Sequence, residues 1–152
     1  MKPPAEILAQ LNRDAAALAA HFALRYRAIE AERPRVKRRY GVCYADGTIR
    51  IRLAHAASGK PLKYSSLVNT LCHELAHLRH FNHGARFRRF YGEILEHARA
   101  VGIYRPGFES AALPRLTAAP GLRLVRHQLP HAAAPALARR PLQLTLFEVD
   151  RG

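Results

Sequence analysis

The turn at Asp46-Gly47 restricts the fold of this chain more than any other feature, because it lies between two runs of alternating polar and apolar residues. An Asp-Gly pair in that position is a strong signal for a two-residue β-hairpin turn. Pairing Ala45 with Thr48 places apolar side chains opposite one another on one face: Tyr44 and Ile49, Val42 and Ile51, Tyr40 and Leu53. The other face then carries the remaining hairpin side chains: Arg39, Gly41, Cys43, Arg50 and Arg52.

The basic face of this hairpin and the overall charge both indicate a polyanionic partner. The chain has 25 Lys and Arg residues against 11 Asp and Glu residues, a formal net charge of +14 over 152 residues. Such an excess favours nucleic acid as the partner, although a solvated sheet face would look the same. Because a further basic run lies between Arg33 and Arg39, we predict non-specific electrostatic DNA binding at Arg39, Arg50 and Arg52.

Apolar residues recur at three- and four-residue steps in three segments, which predicts three helices. The first is one long amphipathic helix that opens at Pro3 and Pro4 and ends before Pro34. The second has Ser65 or Ser66 as its N-cap, runs to about Phe81, and buries a leucine stripe: Leu67, Leu71, Leu75 and Leu78. The third ends at Gly102 and turns these residues inward: Phe87, Phe90, Tyr91, Ile94, Leu95, Ala98 and Val101.

Beyond Arg105 the composition changes, and six prolines interrupt Ala- and Arg-rich sequence. We therefore predict a domain at residues 1–105 and a flexible tail at residues 106–152, with one short strand around Leu122 to Val125. Neither a membrane span nor a signal peptide is evident, and Cys43 and Cys72 do not form a disulfide framework. These features predict a cytoplasmic protein, associated with the nucleoid if it binds DNA.

The chemistry lies in the second predicted helix, in His73-Glu74-Leu75-Ala76-His77. A spacing of four puts both imidazoles on one helical face, so that both can reach a single metal ion. Glu74 is rotated away from that pair and can face a water molecule rather than the metal. Zinc lowers the pKa of such a water to about 7, and a carboxylate can take its proton as hydroxide attacks a carbonyl. The motif therefore predicts a zinc site with Glu74 as the catalytic base.

A catalytic zinc needs a third protein ligand and one open position. His80 lies on the face of the first two histidines, but about 7 Å along the axis from their midpoint. Glu93 and Glu96 on the third helix would give a site of two His and one Glu. His83 follows the helix break, where the chain can turn back toward the metal. Three kinds of candidate thus remain, and we favour His83.

The stretch from Thr70 to Phe87 resembles the signature of the SprT-like and YgjP-like zinc metallopeptidases. Those families place His-Glu-x-x-His on a helix, followed by a third His, often in an Asn-His-Gly or Asn-His-Ser turn with Phe three residues further on. The resemblance covers roughly residues 35–105 and includes the preceding Ile-Arg-Ile-Arg-Leu strand. It implies His73, His77 and His83 as zinc ligands and Glu74 as the catalytic carboxylate. SprT-like proteins often end in a Cys-rich zinc ribbon, which this chain lacks, so ribbon-less relatives are expected.

Three other classes use similar residues. Metzincins share the histidine spacing, but they need a downstream methionine turn, and the only methionine here is Met1. Endoribonucleases of the YbeY type have His-Gly-x-x-His, so Glu74 argues against them, while the basic charge keeps them as the alternative. A non-catalytic nucleic-acid-binding module with structural zinc would fill all four metal positions, often with Cys. Cys72, however, points about 100° away from His73 on the helix.

The tail carries a second motif, Gln143-Leu144-Thr145-Leu146-Phe147. It resembles the Gln-Leu-Ser/Asp-Leu-Phe peptide by which bacterial repair and replication proteins bind the sliding clamp. The amide of Gln143 can hydrogen-bond at a pocket rim while Leu144, Leu146 and Phe147 fill apolar sites. A Pro-containing tether would allow it to reach the clamp. The alternative interpretation is a strand or apolar segment that docks on the domain itself.

Together these features predict a small α+β zincin-like domain. It consists of a long N-terminal helix, a sheet that contains the hairpin, a metal-binding helix and a support helix, followed by the tail. The predicted function is a zinc-dependent metallopeptidase that works near DNA on stalled or crosslinked proteins and is recruited through the sliding clamp. The choice of substrate depends on the resemblance, the charge and the tail rather than on the active-site residues.

Overall fold

The computed structural model describes residues 1–107, which form three α-helices and a three-stranded sheet. In chain order these are α1 (Pro4–His21), β1 (Ala28–Ala31), β2 (Gly41–Cys43), β3 (Thr48–Ile51), α2 (Tyr64–His77) and α3 (Ala85–Ala100). The predicted α+β class is confirmed. The tail was predicted at residues 106–152, and its part from residue 108 onward lies outside the described residues. The predicted strand at Leu122 to Val125 and the clamp motif lie in that part.

The first helix is shorter than predicted, because it ends at His21 rather than before Pro34. Ala23 adopts a φ of 52°, which the helix cannot continue through. The chain then forms β1, which pairs in parallel with β3, so that Ile29 lies opposite Ile49. The prediction was wrong because Tyr26 and Ile29 fit a helical repeat by spacing alone, whereas the parallel partner that makes this segment a strand lies farther along the chain.

The predicted hairpin is present, but its loop has three residues rather than two. The N–H of Gly47 donates to the carbonyl of Tyr44, and the N–H of Tyr44 donates to the carbonyl of Thr48. Gly47 has a φ of +84°, the left-handed conformation that a three-residue hairpin loop requires at its last position. A carboxylate oxygen of Asp46 accepts a hydrogen bond of 2.9 Å from the Thr48 N–H, which stabilises this longer loop.

The extra loop residue makes the predicted register wrong by one position. The opposing pairs are Gly41 with Ile51, Val42 with Arg50, and Cys43 with Ile49. A shift of one residue moves side chains to the opposite face of a strand. Gly41 and Cys43, which were predicted to lie on the basic face, therefore face α2, and Val42 lies beside Arg50 instead of on the apolar face.

The metal-motif helix α2 begins and ends earlier than predicted. It starts at Tyr64 with Lys63 at the N-cap position, where no side chain makes a capping hydrogen bond, so neither Ser65 nor Ser66 is the cap. It ends at His77 rather than near Phe81. The predicted leucine stripe is buried at Leu67, Leu71 and Leu75 and half-buried at Leu78.

The support helix α3 matches the prediction except at its end. Gly102 follows the helix with a φ of +76°, as a helix-stopping glycine should. The fully buried positions are Phe87, Phe90, Ile94 and Ala98, while Tyr91 and Leu95 are half-buried. Val101 was predicted to point inward but is 45% exposed, because it already lies past the last helical residue.

Helix α2 occupies the centre of the fold, in contact with α1, α3, β2 and β3. Its residues from Thr70 to His77 are all buried. Two imidazoles and one carboxylate therefore lie in the interior, which is costly unless they have a partner or a function. No helix within residues 1–107 is long and apolar enough to cross a membrane.

Candidate metal centre

Three histidines converge on one point at the C-terminal end of α2. The Nε2 atoms of His73 and His77 are 3.1 Å apart. The Nε2 atom of His83 lies 3.2 Å from that of His73 and 3.0 Å from that of His77. A tetrahedral zinc site with Zn–N bonds of 2.0–2.1 Å requires ligand nitrogens about 3.3–3.4 Å apart. The observed triangle is within a few tenths of an ångström of that geometry, so the donor set fits a zinc ion without rearrangement.

The chain delivers these ligands in two ways. His73 and His77 lie one turn apart on α2, whereas His83 comes from the turn between α2 and α3. The turn is tied to the helix by His77, whose Nδ1–H donates to the backbone carbonyl of His80 at 3.1 Å. Because a carbonyl can only accept, this bond places the His77 proton on Nδ1 and leaves the Nε2 lone pair for a metal.

The His80 imidazole lies apart from this cluster. Its ring lies edge-on to Phe90, with the ring centroids 5.8 Å apart, and it is absent from the ligand cluster within residues 1–107. The backbone carbonyl of His80 nevertheless orients His77, a role that side-chain pattern alone does not reveal.

Burial keeps the three imidazoles neutral. It lowers the pKa of His73 to about 3, with the neighbouring His77 and His83 acting in the same direction. It also lowers the pKa of His77 to about 4, although the hydrogen bond to His80 opposes the shift. Burial lowers the pKa of His83 as well. At neutral pH all three can therefore offer lone pairs, which metal binding requires.

An aromatic floor supports the cluster. The Phe87 ring on α3 lies 4.8 Å from His73, 4.4 Å from His77 and 4.8 Å from His83, centroid to centroid. Tyr91 adds an edge contact to His73 at 5.5 Å. These rings restrict the imidazole orientations and keep water away from one side of the site.

Glu74 follows His73 on α2, lies against Gly41 of β2 and is 0% exposed. No hydrogen bond of ordinary length reaches either of its carboxylate oxygens from residues 1–107. Burial raises the pKa of Glu74 to about 8, against smaller opposing effects of Arg39 and of the Cys43 backbone N–H. A carboxyl group in this range can both accept and return a proton near neutral pH, as a general acid–base group must.

The close approach of β2 to Glu74 depends on Gly41. A Cβ atom there would lie 2.7 Å from the Thr70 methyl group, 2.9 Å from Glu74 Oε1 and 3.0 Å from Glu74 Cγ. Distances under 3.0 Å are sterically forbidden, so only glycine fits without displacing the carboxylate. The sequence analysis missed this role because the wrong hairpin register placed Gly41 on the outer face.

The model of the YgjP-like metallopeptidase domain matches residues 5–101. The chain belongs to the YgjP-like metallopeptidase family. The predicted resemblance is thus confirmed, and the enzyme is a metallopeptidase. Among curated protein sequences, none matches the chain significantly.

Two solved structures share the YgjP-like fold. Wss1 from Saccharomyces cerevisiae superposes with a TM-score of 0.61 at 19% identity, over 66% of this chain and 84% of that one. A Wss1 mutant from the same organism gives a TM-score of 0.59 at 19% identity, over 68% and 89% respectively. At such identities the likeness concerns the fold.

The alternative ligands on α3 of this YgjP-like domain lie outside the histidine cluster. Glu93 accepts a hydrogen bond from Arg89 at 3.3 Å, and Glu96 lies 3.8 Å from Arg99. Both carboxylates belong to the exposed side of the helix. The three-histidine arrangement is therefore the one that the described part of the chain assembles.

The three arginines predicted to contact DNA all have partners within the YgjP-like domain. Arg39 pairs with Glu32 at 2.9 Å, and Arg50 pairs with Glu30 at 3.0 Å. Arg52 is buried and donates to the carbonyls of Val36 and Lys37. These contacts stabilise the sheet and its preceding loop. DNA contact by these three residues stays a prediction, and it would compete with the internal bonds.

Proposed function

We propose that this YgjP-like domain is a zinc-dependent peptidase that hydrolyses proteins bound or crosslinked to DNA. The observation that carries the catalytic part is the convergence of three neutral imidazoles on one point, with a buried carboxylate on the next residue of the same helix. Three protein ligands leave one position open, the arrangement of catalytic rather than structural zinc sites.

His73, His77 and His83 would hold the ion, and zinc held there supplies Lewis-acid polarisation of an oxygen atom. Glu74 accepts a proton from the attacking water as its oxygen bonds to the peptide carbonyl carbon. Glu74 then returns that proton to the amide nitrogen as the C–N bond breaks, which completes hydrolysis with atoms and charge balanced. Burial of Glu74 favours this use, because it raises the pKa of the carboxyl group to about 8, close to neutral pH.

The test of the catalytic assignment is Glu74→Gln in the full chain. We expect zinc content and fold to persist while hydrolysis of a DNA-bound protein falls about 10²–10⁴-fold, because the water loses its proton acceptor. A structured RNA is assayed in parallel. RNA cleavage that depends on Glu74, without proteolysis, would favour the YbeY-type nuclease instead.

Association with DNA is supported by the net charge of +14. Binding should then be mostly electrostatic and should weaken steeply as salt rises. Charge reversal at Arg39, Arg50 and Arg52 together, compared with reversal of tail arginines 115, 123 and 126, tests whether the sheet contributes. Because Arg39 and Arg50 hold internal ion pairs and Arg52 holds internal hydrogen bonds, this comparison also needs melting temperatures of both variants.

Recruitment by a bacterial sliding clamp is the remaining part of the proposal, and the motif Gln143, Leu144, Leu146 and Phe147 supports it. A synthetic peptide of residues 139–152 should bind a clamp with roughly micromolar affinity, since a short segment loses conformational entropy on docking. Leu146→Ala with Phe147→Ala should eliminate that binding and leave the melting temperature of the full chain unchanged. A clear drop in melting temperature, with no clamp binding by the wild-type peptide, would indicate a structural segment instead.

A further inference from the structure

A basic groove crosses the turn between α2 and α3, next to the metal centre. Its volume is about 380 Å³, and its walls include Arg79, Phe81, Arg86 and Phe87. An adjoining depression of about 200 Å³ shares Arg79 and Arg86 and extends along α3 to Arg89. The two together form one continuous surface, which we call the α2–α3 groove.

The guanidinium groups of this groove are available to a ligand. Arg86 is exposed, and no carboxylate of residues 1–107 lies within 4 Å of it. Arg79 donates to the carbonyl of Phe22 and lies over the Phe90 ring, contacts that leave its charge uncompensated. Within residues 1–107 Arg89 pairs only with the exposed Glu93, and such a pair contributes little in water. By contrast, Arg39 and Arg50 at the sheet form ion pairs with Glu32 and Glu30.

The position of these charges is unfavourable for the helix itself. Arg86, Arg88 and Arg89 fall at the start of α3, and its first turn has no acidic residue. The helix macrodipole disfavours cations there, by a few tenths of a kcal/mol each at exposed positions. A polyanion would remove this repulsion, whereas a requirement for solubility alone could be met by arginines elsewhere.

An aromatic side chain accompanies the charges. Phe81 is 56% exposed, although it is large and apolar. It lies on the groove wall among Arg79, His80 and Arg86. An exposed ring flanked by cations is the combination with which proteins bind single strands, since bases stack on the ring while arginines contact phosphates. A duplex would offer phosphates but would keep its base faces covered.

The groove is also coupled to the catalytic machinery by position. Phe87, which forms the floor under the three imidazoles, is part of its wall, and so are Asn82 and Gly84 on either side of His83. A strand bound in the groove would therefore contact the residues on either side of His83. A protein attached to that strand would be held close to the three histidines.

We propose that the α2–α3 groove binds single-stranded DNA, with Arg79, Arg86 and Arg89 at phosphates and Phe81 stacked on a base. The choice of DNA rests on the proposed function. The binding itself is measured without any hydrolysis, so it can fail while the peptidase stands, and the reverse.

The experiment measures fluorescence anisotropy of a labelled oligothymidylate with the full chain over a range of salt concentrations. Arg86→Gln with Arg89→Gln is compared with a matched pair, Arg13→Gln with Arg99→Gln, which removes the same charge from exposed positions outside the groove. Arg99 matches Arg89 because each pairs with an exposed glutamate of α3. We expect the groove pair to reduce the slope of log affinity against log salt by about 1.4 units, since each single-strand phosphate contributes about 0.7. The matched pair should reduce it far less.

Phe81 separates stacking from charge. Phe81→Ala should weaken binding about 5–100-fold with the salt slope unchanged, and Phe81→Tyr should restore it, because a phenol ring still stacks. Metal content and melting temperature serve as checks on the fold. Equal effects of the two arginine pairs, or wild-type affinity for Phe81→Ala, would overturn the proposal. Tighter binding to duplex DNA or to single-stranded RNA of matched length would overturn the assignment to single-stranded DNA.

Discussion

The buried face of α2 and the α2–α3 groove lie side by side and use side chains in opposite ways. His77 is 1% exposed, and Phe81, shortly after it in the chain, is 56% exposed. One region places polar groups among apolar ones, and the other places an aromatic ring in water among arginines. Each reverses the usual distribution of residues in a folded protein. A buried cluster of polar side chains or an exposed aromatic ring among arginines therefore indicates a binding site more specifically than a motif or net charge alone.

The two regions also differ in what a substitution should affect. In the buried region the polar side chains are enclosed by packed neighbours, so that a change should alter metal binding, chemistry or stability. In the groove the side chains are exposed, and a change should alter partner binding and little else. The following measurements test that distinction.

The largest effect should come from the ligand that lies between the two regions. His83→Ala should weaken zinc binding more than about 100-fold, because loss of a group that merely orients a ligand already costs about 10–100-fold. His80→Ala is the matched control, since it keeps the backbone carbonyl that orients His77. Competition with a chromophoric chelator measures both. Equal losses for the two variants would mean that His83 is not the third ligand.

The next effect concerns the contact between β2 and α2. Gly41→Ala should lower the hydrolysis rate about 10²-fold, because the added Cβ would displace Glu74 by a fraction of an ångström or more. Gly92→Ala on α3 is the control, since a Cβ there meets nothing within 4 Å. The control should gain about 0.5–1 kcal/mol of stability from reduced backbone entropy. Wild-type turnover of the Gly41→Ala enzyme would show that the carboxylate tolerates displacement.

A third test compares a sheet arginine with a helix arginine. Arg52→Gln should reduce the free energy of unfolding by about 1.5–3 kcal/mol, because it removes charged hydrogen bonds to the Val36 and Lys37 carbonyls. Arg88→Gln, on the exposed surface of α3, should change it by less than about 0.5 kcal/mol. Urea denaturation of both variants gives the two values, and similar values would remove the distinction between the two kinds of arginine.

The smallest effect is a count of protons. Three ordinary imidazoles with pKa values near 6.5 would release nearly three protons when zinc binds at pH 5.5. The pKa values of His73 and His77, lowered by burial to about 3 and 4, mean that these two carry almost none, which leaves about one proton or fewer from His83. Calorimetry in two buffers measures this number, with Glu74→Gln used so that its carboxyl group does not contribute. A release near three would contradict the burial of the site.

The placement of the candidate site residues was easier to predict from the sequence than the fold around them. His73, Glu74 and His77 are fixed by the geometry of one helix, so their spacing alone places them. His83 could be favoured, because the helix break at Asn82 and Gly84 limits the positions that the His83 side chain can reach. Local geometry of this kind is encoded within a few residues.

Features that depend on distant parts of the chain were harder to predict. The parallel strand β1 could not be recognised from its own residues, since only pairing with β3 distinguishes it from a continued helix. The hairpin register depended on whether Asp46-Gly47 forms the whole loop or two of its three residues. The difference of one residue placed Gly41 and Cys43 on the wrong face of the predicted hairpin, away from the site. The ion-pair partners of Arg50 and Arg39 are Glu30 and Glu32, which come from the same unrecognised segment.

The short chain distance between His77 and His83 has a consequence for metal exchange. The two ligands are six positions apart, and the turn between them is already closed by backbone hydrogen bonds from Arg79 and His80 to the carbonyl of Ala76. Since α2 and α3 also share an apolar core, the packing of the two helices would not depend on the ion alone. Loss of metal to a chelator should therefore be a local, reversible event on the timescale of turn opening, not a global unfolding. In a cell with limited zinc, such a protein would persist as an intact reserve that regains its ion without being resynthesised.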